Sequence, residues 1–291
     1  MYGPAVRRKR YDWVGQWYHS FSVMLSEIHR ISGIPEAELK QEIRAIHQKF
    51  RTSEFAFLIE NLITIRAGSV EDTVKKFQPA IDRFREARKQ HLALYPSIVE
   101  TLNTLKRFKK TLVVFTESQT FYTSMRFKKL GLEGLVDFLF TSDDHETPDS
   151  NYLASVRKHP PGHYEIMHTR HRSVGWGRLK PDPEILRAIV KEIGATEDNT
   201  IYVGDSLYKD VAMAKDANIL AVWAEYGEAR GQPGYDLLRE VSHWTDGDVQ
   251  ADRVLKKRDI IPDAILYHRF DELLNILGPE REAQNAQRCV T

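Results

Sequence analysis

The 291-residue sequence has a single cysteine, Cys289, so a disulfide framework is excluded and a reducing, cytoplasmic setting is expected. It also lacks any apolar run long enough for a bilayer-spanning helix, which takes about 20 residues. The basic start MYGPAVRRKR has no apolar stretch behind it, so it reads as a solvated segment and not a secretory signal. Charge of one sign is missing as well. With 42 Lys and Arg against 41 Asp and Glu, the net charge is +1, and no global field draws the chain to nucleic acid or to an acidic membrane. Proline (12) and glycine (16) are too few for low complexity, and 42% hydrophobic residues supply a core. No internal repeat is present.

What is present falls into two textures. Residues 13–94 read as helices with no strand pattern. In WVGQWYHSFSVMLSEIHRIS, Trp17, Phe21, Met24, Leu25 and Ile28 share one face. Pro35 suits a helix start, with Leu39, Ile43, Ile46 and Phe50 repeating behind it. Ser69 with Asp72 three residues later reads as a helix cap, and Pro79 as a kink or break. From Tyr95 onward, short apolar runs (TLVVFTES, DFLFTSDD, TIYVGD, ILAVWAEYG) alternate with amphipathic helices. One such helix is capped by Asp182 and another ends at Gly131. This alternation predicts a mostly parallel sheet covered on both faces, with DAILYH as an edge strand. Residues 144–179 read as an irregular insertion holding His145, His159, His163, His168 and His171. Their spacing matches no compact ligand set, so an exposed insertion is the better reading than a metal site. Residues 1–12 and 279–291 read as an irregular basic start and a polar tail.

The chemistry concentrates where apolar runs end in polar residues, since ligands of parallel sheets bind beyond the carboxyl ends of strands. LVVF ends in Thr116, then Glu117 and Ser118. IYV ends in Gly204-Asp205, with Asp210 one helical turn on. Lys180 precedes Pro181-Asp182-Pro183, which stiffens the entry to a helix. Two close carboxylates are costly unless a cation lies between them or a lysine offsets them, and oxygen-only ligands near phosphate favour Mg²⁺. Lys180 can neutralise a phosphate or a carboxylate. The Thr116 hydroxyl and the backbone N–H groups after it can bind phosphate oxygens. Each element alone has an ordinary structural explanation; the ordered set of three, each in its proper setting, does not.

The region from Tyr95 to about Gly227 resembles the core of the haloacid dehalogenase superfamily. YPSIVETLNTLKRFKKTLVVFTES resembles the lead-in and second motif, KPDPEI the third, and VGDSLYKDVAMAKDAN the fourth. The resemblance implies a Rossmann-like α/β core over residues 95–278, with residues 13–94 as a helical cap that sets the substrate. Trp13, Trp17 and Tyr18 are candidates for lining that lid, with core packing the commoner role for such residues. It also implies Asp205 as a Mg²⁺ ligand, with Asp210 binding directly or through water. Lys180 would steady nucleophile and phosphate, and Thr116, Glu117 and Ser118 would receive the phosphoryl oxygens. The substrate would be a small phosphorylated metabolite, hydrolysed through an aspartyl-phosphate.

One part of the family pattern is not found. The first motif, D-x-D-x-T at the end of the central strand, belongs before residue 13. That stretch has no apolar strand, and its only aspartate is Asp12, with Val14 where the acid/base partner would stand. The expectation is therefore a sheet without its central member, in which the VVF and IYV strands face a gap with unpaired backbone. An N-terminally incomplete and nearly inactive phosphohydrolase is the expected reading. A sheet closed some other way and a relative that lost catalysis are the structural alternatives. A non-catalytic, regulatory phosphate-ligand protein and a dehalogenase are the functional ones.

Overall fold

The computed structural model describes residues 13–144, 159, 162–175, 179–228, 233–247, 250, 254 and 258–277. Asp12 and the rest of the basic start, His145, Cys289 and the polar tail lie outside them. The described residues cluster into two units, one helical and one α/β. None of the described helices is long and apolar enough to cross a membrane.

Among the described residues the helical unit takes 13–95, 159 and, from far downstream, 233–244. Helix α1 (Trp13–Ser32) buries Trp17, Phe21, Met24, Leu25 and Ile28, the stripe that its periodicity predicts. Helix α2 (Glu36–Phe50) starts after Pro35 and buries Leu39, Ile43 and Ile46. A short helix α3 (Leu58–Asn61) follows. Helix α4 (Val70–Lys76) opens on a capping box: the Ser69 hydroxyl accepts from the Asp72 N–H, and the Asp72 carboxylate accepts from the Ser69 N–H. The chain breaks at Phe77 and resumes as α5 (Gln78–Gln90), with Pro79 in its first turn, where no N–H is needed. Of the aromatics weighed for a lid, Trp17 is a core residue and Tyr18 packs against the same cluster.

In the α/β unit, α6 (Ile98–Arg107) leads into strand β1 (Val113–Gln119), then α7 (Thr120–Lys129) and β2 (Phe138–Ser142). Strand β3 (Arg170–Ser173) follows, then α8 (Pro183–Glu192) and β4 (Ile201–Gly204). A π-helical turn, Leu207–Val211, runs straight into α9 (Ala212–Asp216) and β5 (Leu220–Ala224). After α10 (Pro233–Val241), which packs on α1 and α2 in the helical unit, come β6 (Ala264–Leu266) and α11 (Leu273–Ile276). All strand pairs are parallel, in two three-stranded sheets ordered β1-β2-β3 and β4-β5-β6. Among the described residues β1 pairs only with β2, and β4 only with β5. These are the VVF and IYV strands for which open edges were expected.

The reading of 144–179 as wholly irregular needs correction. Strand β3 lies within it and pairs along its length with β2. Its sequence, RHRS, carries no apolar alternation, because it is an exposed outer edge where charge protects the backbone. His171, on that strand, engages the Thr141 hydroxyl through Nε2 at 2.7 Å.

Candidate active site

Three segments of the α/β unit meet at Lys180. The first is the second half of β1, whose Glu117 carboxylate accepts the Lys180 backbone N–H through Oε1. Its other oxygen is 3.6 Å from the Lys209 ammonium. The second segment is the approach to α8. Asp182 caps that helix by accepting from the Glu184 N–H at 3.0 Å, and Pro183 occupies its first turn. The lysine before them is thereby held at a fixed entry. The third is the end of β4 and the π-helical turn, which carries Asp205 and Asp210.

The Lys180 ammonium donates to Asp210 Oδ1 at 2.8 Å. It also lies 4.8 Å from the Phe115 ring centroid and 5.7 Å from that of Tyr202, so aromatic faces stabilise the cation from two sides. The Tyr202 hydroxyl donates to the same Asp210 oxygen at 3.0 Å, and the Ser206 N–H donates to Oδ2 at 3.1 Å. A β-carbon on Gly204 would come within 2.2 Å of Asp210 Cβ, so only glycine lets the strand end pass the aspartate. Gly227 plays the same part beside Asp205, where a β-carbon would meet Asp205 Cβ at 2.8 Å. The Asp205 carbonyl accepts from Trp223 Nε1 at 3.1 Å, tying the turn to β5.

The electrostatics follow from burial and pairing. Burial works against the charge on Lys180, but Asp210, Tyr202 and Glu117 outweigh it and hold the ammonium well above its ordinary range. Burial likewise opposes charge on Asp210, and the Lys180 ammonium overcomes it, so that carboxyl is held below the usual range. Asp205, an exposed residue at the strand end, goes the other way: partial desolvation of its carboxyl and then the neighbouring Asp210 charge push it upward. Tyr202 is raised for the same two reasons, which keeps it a neutral donor. The site thus holds one buried ionised pair and, beside it, one exposed carboxyl whose affinity for a proton is raised.

Of the residues singled out in the sequence, Glu117, Lys180 and Asp210 are joined by direct contacts, and Asp205 lies beside them. The Thr116 hydroxyl accepts the Ser118 N–H at 3.1 Å and is turned back on its own strand. Glu117's carboxylate is engaged by Lys180 and Lys209, so any part in holding an anion falls to its backbone. Tyr202, Phe115 and Lys209 also belong to the site. Their signal in the sequence was weak, because a tyrosine and a phenylalanine inside apolar runs read as core.

A Mg²⁺ ion fits this donor set in a limited way. The ligands are oxygens, and Asp205 keeps a proton that a cation can replace. Asp210 already accepts from Lys180, Tyr202 and Ser206, which leaves it best suited to act through water. Among the described residues no group of three or more His, Cys, Asp or Glu is placed to hold a metal.

Residues 21–218 match the family of haloacid dehalogenase-like hydrolases, and the chain belongs to that family. Its fold is similar to that of a 2-haloacid dehalogenase from Pseudomonas syringae pv. Tomato DC3000, with a TM-score of 0.54 and 16% identity over 94% of this chain and 95% of that one. A HAD phosphatase from Thermococcus onnurineus aligns with a TM-score of 0.48 and 18% identity over 91% and 92%. At these identities the likeness concerns fold alone. No curated protein matches the chain in sequence.

Proposed function

We propose that the Lys180–Asp210–Asp205 cluster binds a phosphorylated small molecule together with Mg²⁺, and that the chemistry it serves is phosphate-ester hydrolysis. The observation that carries this reading is the buried 2.8 Å ion pair with a protonatable carboxyl beside it at the carboxyl ends of β1 and β4. Asp205 would hold the ion directly and Asp210 through water. Bound there, Mg²⁺ supplies charge neutralisation for phosphoryl oxygens. Lys180 orients the phosphate and keeps Asp210 ionised, while Tyr202 donates to Asp210 and fixes its rotamer. The Thr116 hydroxyl proton is a further donor for the phosphate. The single cysteine and balanced charge suit a cytoplasmic metabolite enzyme.

A second reading, phosphate-ligand binding without turnover, is favoured by one observation. Among the described residues both carboxylates of the cluster already have roles, one paired to lysine and one suited to metal, and neither is left to attack phosphorus. Calorimetry with Mg²⁺ and inorganic phosphate, alongside an aryl-phosphate hydrolysis assay, separates the two. Both readings expect Mg²⁺-dependent phosphate binding that Asp205→Asn and Lys180→Ala each weaken at least about tenfold, the scale of a lost charged contact. Turnover that Asp205→Asn abolishes supports the enzyme. Binding that ignores both substitutions overturns the site.

A further inference from the structure

Strand β1 does not keep one register along β2. Phe115 stands opposite Phe140, but the next paired residue of β1 is Gln119, opposite Ser142, so two residues of β1 are surplus to the ladder. The surplus falls within Thr116–Glu117–Ser118, where the strand bulges. This is the segment that meets Lys180, because Glu117 Oε1 accepts the Lys180 N–H. A bulge aims a side chain only if both of its ends are fixed. The near end is fixed by the paired run from Val113 to Phe115.

The far end is held by a chain of side-chain bonds that starts at the outer edge of the sheet. His171 on β3 lies opposite Leu139 on β2, so its side chain shares a face with Thr141, two residues further along β2. His171 Nε2 is 2.7 Å from Thr141 Oγ1, Thr141 Oγ1 is 2.9 Å from Thr120 Oγ1, and Thr120 Oγ1 is 3.0 Å from the Ser142 carbonyl oxygen. Thr120 follows β1 directly and opens α7, and Thr141 is fully buried. Proton counting gives the chain one direction. A carbonyl only accepts, so Thr120 gives its one proton to Ser142. Thr120 then accepts from Thr141, whose own proton is thereby used, and His171 Nε2 must donate. Burial and then Arg172 hold the imidazole below its ordinary value against the pull of Asp143. Near neutral pH the ring therefore has a single N–H, and it belongs on Nε2.

We propose that His171 is a positioning residue for the site: its Nε2–H, acting through Thr141 and Thr120, closes the far end of the β1 bulge and so fixes where Glu117 receives the Lys180 N–H. His171 acts on Lys180 only through these hydroxyls. The outer strand β3, whose charged sequence carries no core signal, thereby takes part in the site. The inference rests on reading Glu117 and Lys180 as part of a phosphate site, but the contact it concerns can be read without phosphate.

The test combines imidazole nitrogen NMR with amide hydrogen exchange on the 291-residue chain. Near neutral pH, His171 should carry its proton on Nε2 and none on Nδ1. His171→Leu should speed exchange of the Lys180 amide about fivefold, the scale of one neutral hydrogen bond, and leave the Leu139 and Phe140 amides unchanged. His171→Gln keeps an N–H donor at the Nε2 position and should restore the wild-type rate. Thr120→Val removes the last hydroxyl and keeps its shape. It should repeat the effect of His171→Leu, and it serves where the leucine variant does not fold. Calorimetry with Mg²⁺ and inorganic phosphate should follow the same order, with binding about fivefold weaker in His171→Leu and recovered in His171→Gln. A neutral ring with its proton on Nδ1 overturns the inference. So does a Lys180 amide that ignores both His171→Leu and Thr120→Val, or one that speeds only together with Leu139 and Phe140, the mark of a merely structural role. If the wild-type chain binds no phosphate, the proposed function fails, and the Lys180 amide still decides this inference.

Discussion

The helical unit and the α/β unit build their interiors differently. The helical unit buries one continuous apolar cluster that runs from Val14 on α1 through Ile43, Phe57 and Ile81 to Val241 on α10. Among the described residues, the α/β unit divides its buried apolar side chains into five smaller clusters. Its interior is interrupted at the edges of β1 and β4, which are unpaired among the described residues, and by the ionised Lys180–Asp210 pair. One buried titratable group of the helical unit, His47, is neutral: Nδ1 donates to the Val241 carbonyl at 2.6 Å, and burial brings the imidazole down to about 4. Another, Glu27, is ionised and paired at 2.6 Å with Arg30, which is exposed. The helical unit neutralises its buried base and pairs its buried Glu27 with an exposed arginine. The α/β unit keeps an ion pair with both partners largely buried, and its apolar core is less continuous.

The largest expected effect sets one aromatic in each unit against the other. Phe21 is fully buried and stacks on Trp17 with ring centroids 4.5 Å apart. Phe21→Ala should cost about 3–5 kcal/mol, the usual range for emptying such a site. Phe115 is half-buried at an edge unpaired among the described residues, so Phe115→Ala should cost only about 1–2 kcal/mol, in proportion to the apolar area it removes. Urea unfolding of both variants measures this. Equal costs would break the contrast between a continuous core and an interrupted one.

Acid should act on the two units in opposite senses. Native His47 binds its proton only near pH 4, while the unfolded residue does so near 6.5, so the unfolded chain takes up the proton first. Its contribution is full above pH 6.5 and declines toward pH 4, by on the order of 3 kcal/mol. Asp205 has the opposite sign, because its native carboxyl binds a proton near 7 and the unfolded one near 3.8. Its contribution is full below 3.8 and is lost as pH rises through 7. Asp210, held low, loses its contribution only below the ordinary carboxylate range, outside this window. With EDTA present, His47→Asn should tilt the stability profile between pH 7 and 5 toward greater stability in acid. Asp205→Asn should tilt it the other way. Tilts of the same sign would mean that the units do not differ in this respect.

Most of the fold was legible because its signals are local. The α1 stripe, the Ser69–Asp72 box and the Asp182 cap each follow from a few neighbouring residues and form as read, and the break signalled by Pro79 falls two residues before it, at Phe77. The strands VVF, FLF, IYV and LAVW were legible because apolar runs of that length have few other uses. Strand β3 was not, because an outer edge is selected for charge and looks like a loop. Within the site, Lys180, Asp205 and Asp210 stood out by spacing. Tyr202 and Phe115 did not, because their part depends on a lysine at least 22 residues away in sequence, and only the fold brings them together. The pairing of α10 with α1 and α2 is equally non-local: the His47 to Val241 bond spans 194 residues.

The smallest effect should show no difference between the units, and that is its value. Ser69 caps α4 in the helical unit, and Asp182 caps α8 in the α/β unit. Each side chain satisfies an N–H of the first helical turn that has no partner within the helix, and neither interaction depends on what the rest of the unit buries. Replacing either by alanine should cost about 1 kcal/mol, the usual price of an N-cap. Asp182→Ala has a second consequence that Ser69→Ala lacks, because Lys180 stands two residues before the cap and takes its position from it. Denaturant midpoints should therefore shift alike for the two variants, while phosphate binding weakens in Asp182→Ala alone. A much larger loss of stability in Asp182→Ala would mean that the cap holds the buried ion pair as well as the helix, and that the α/β unit depends on its site for its fold.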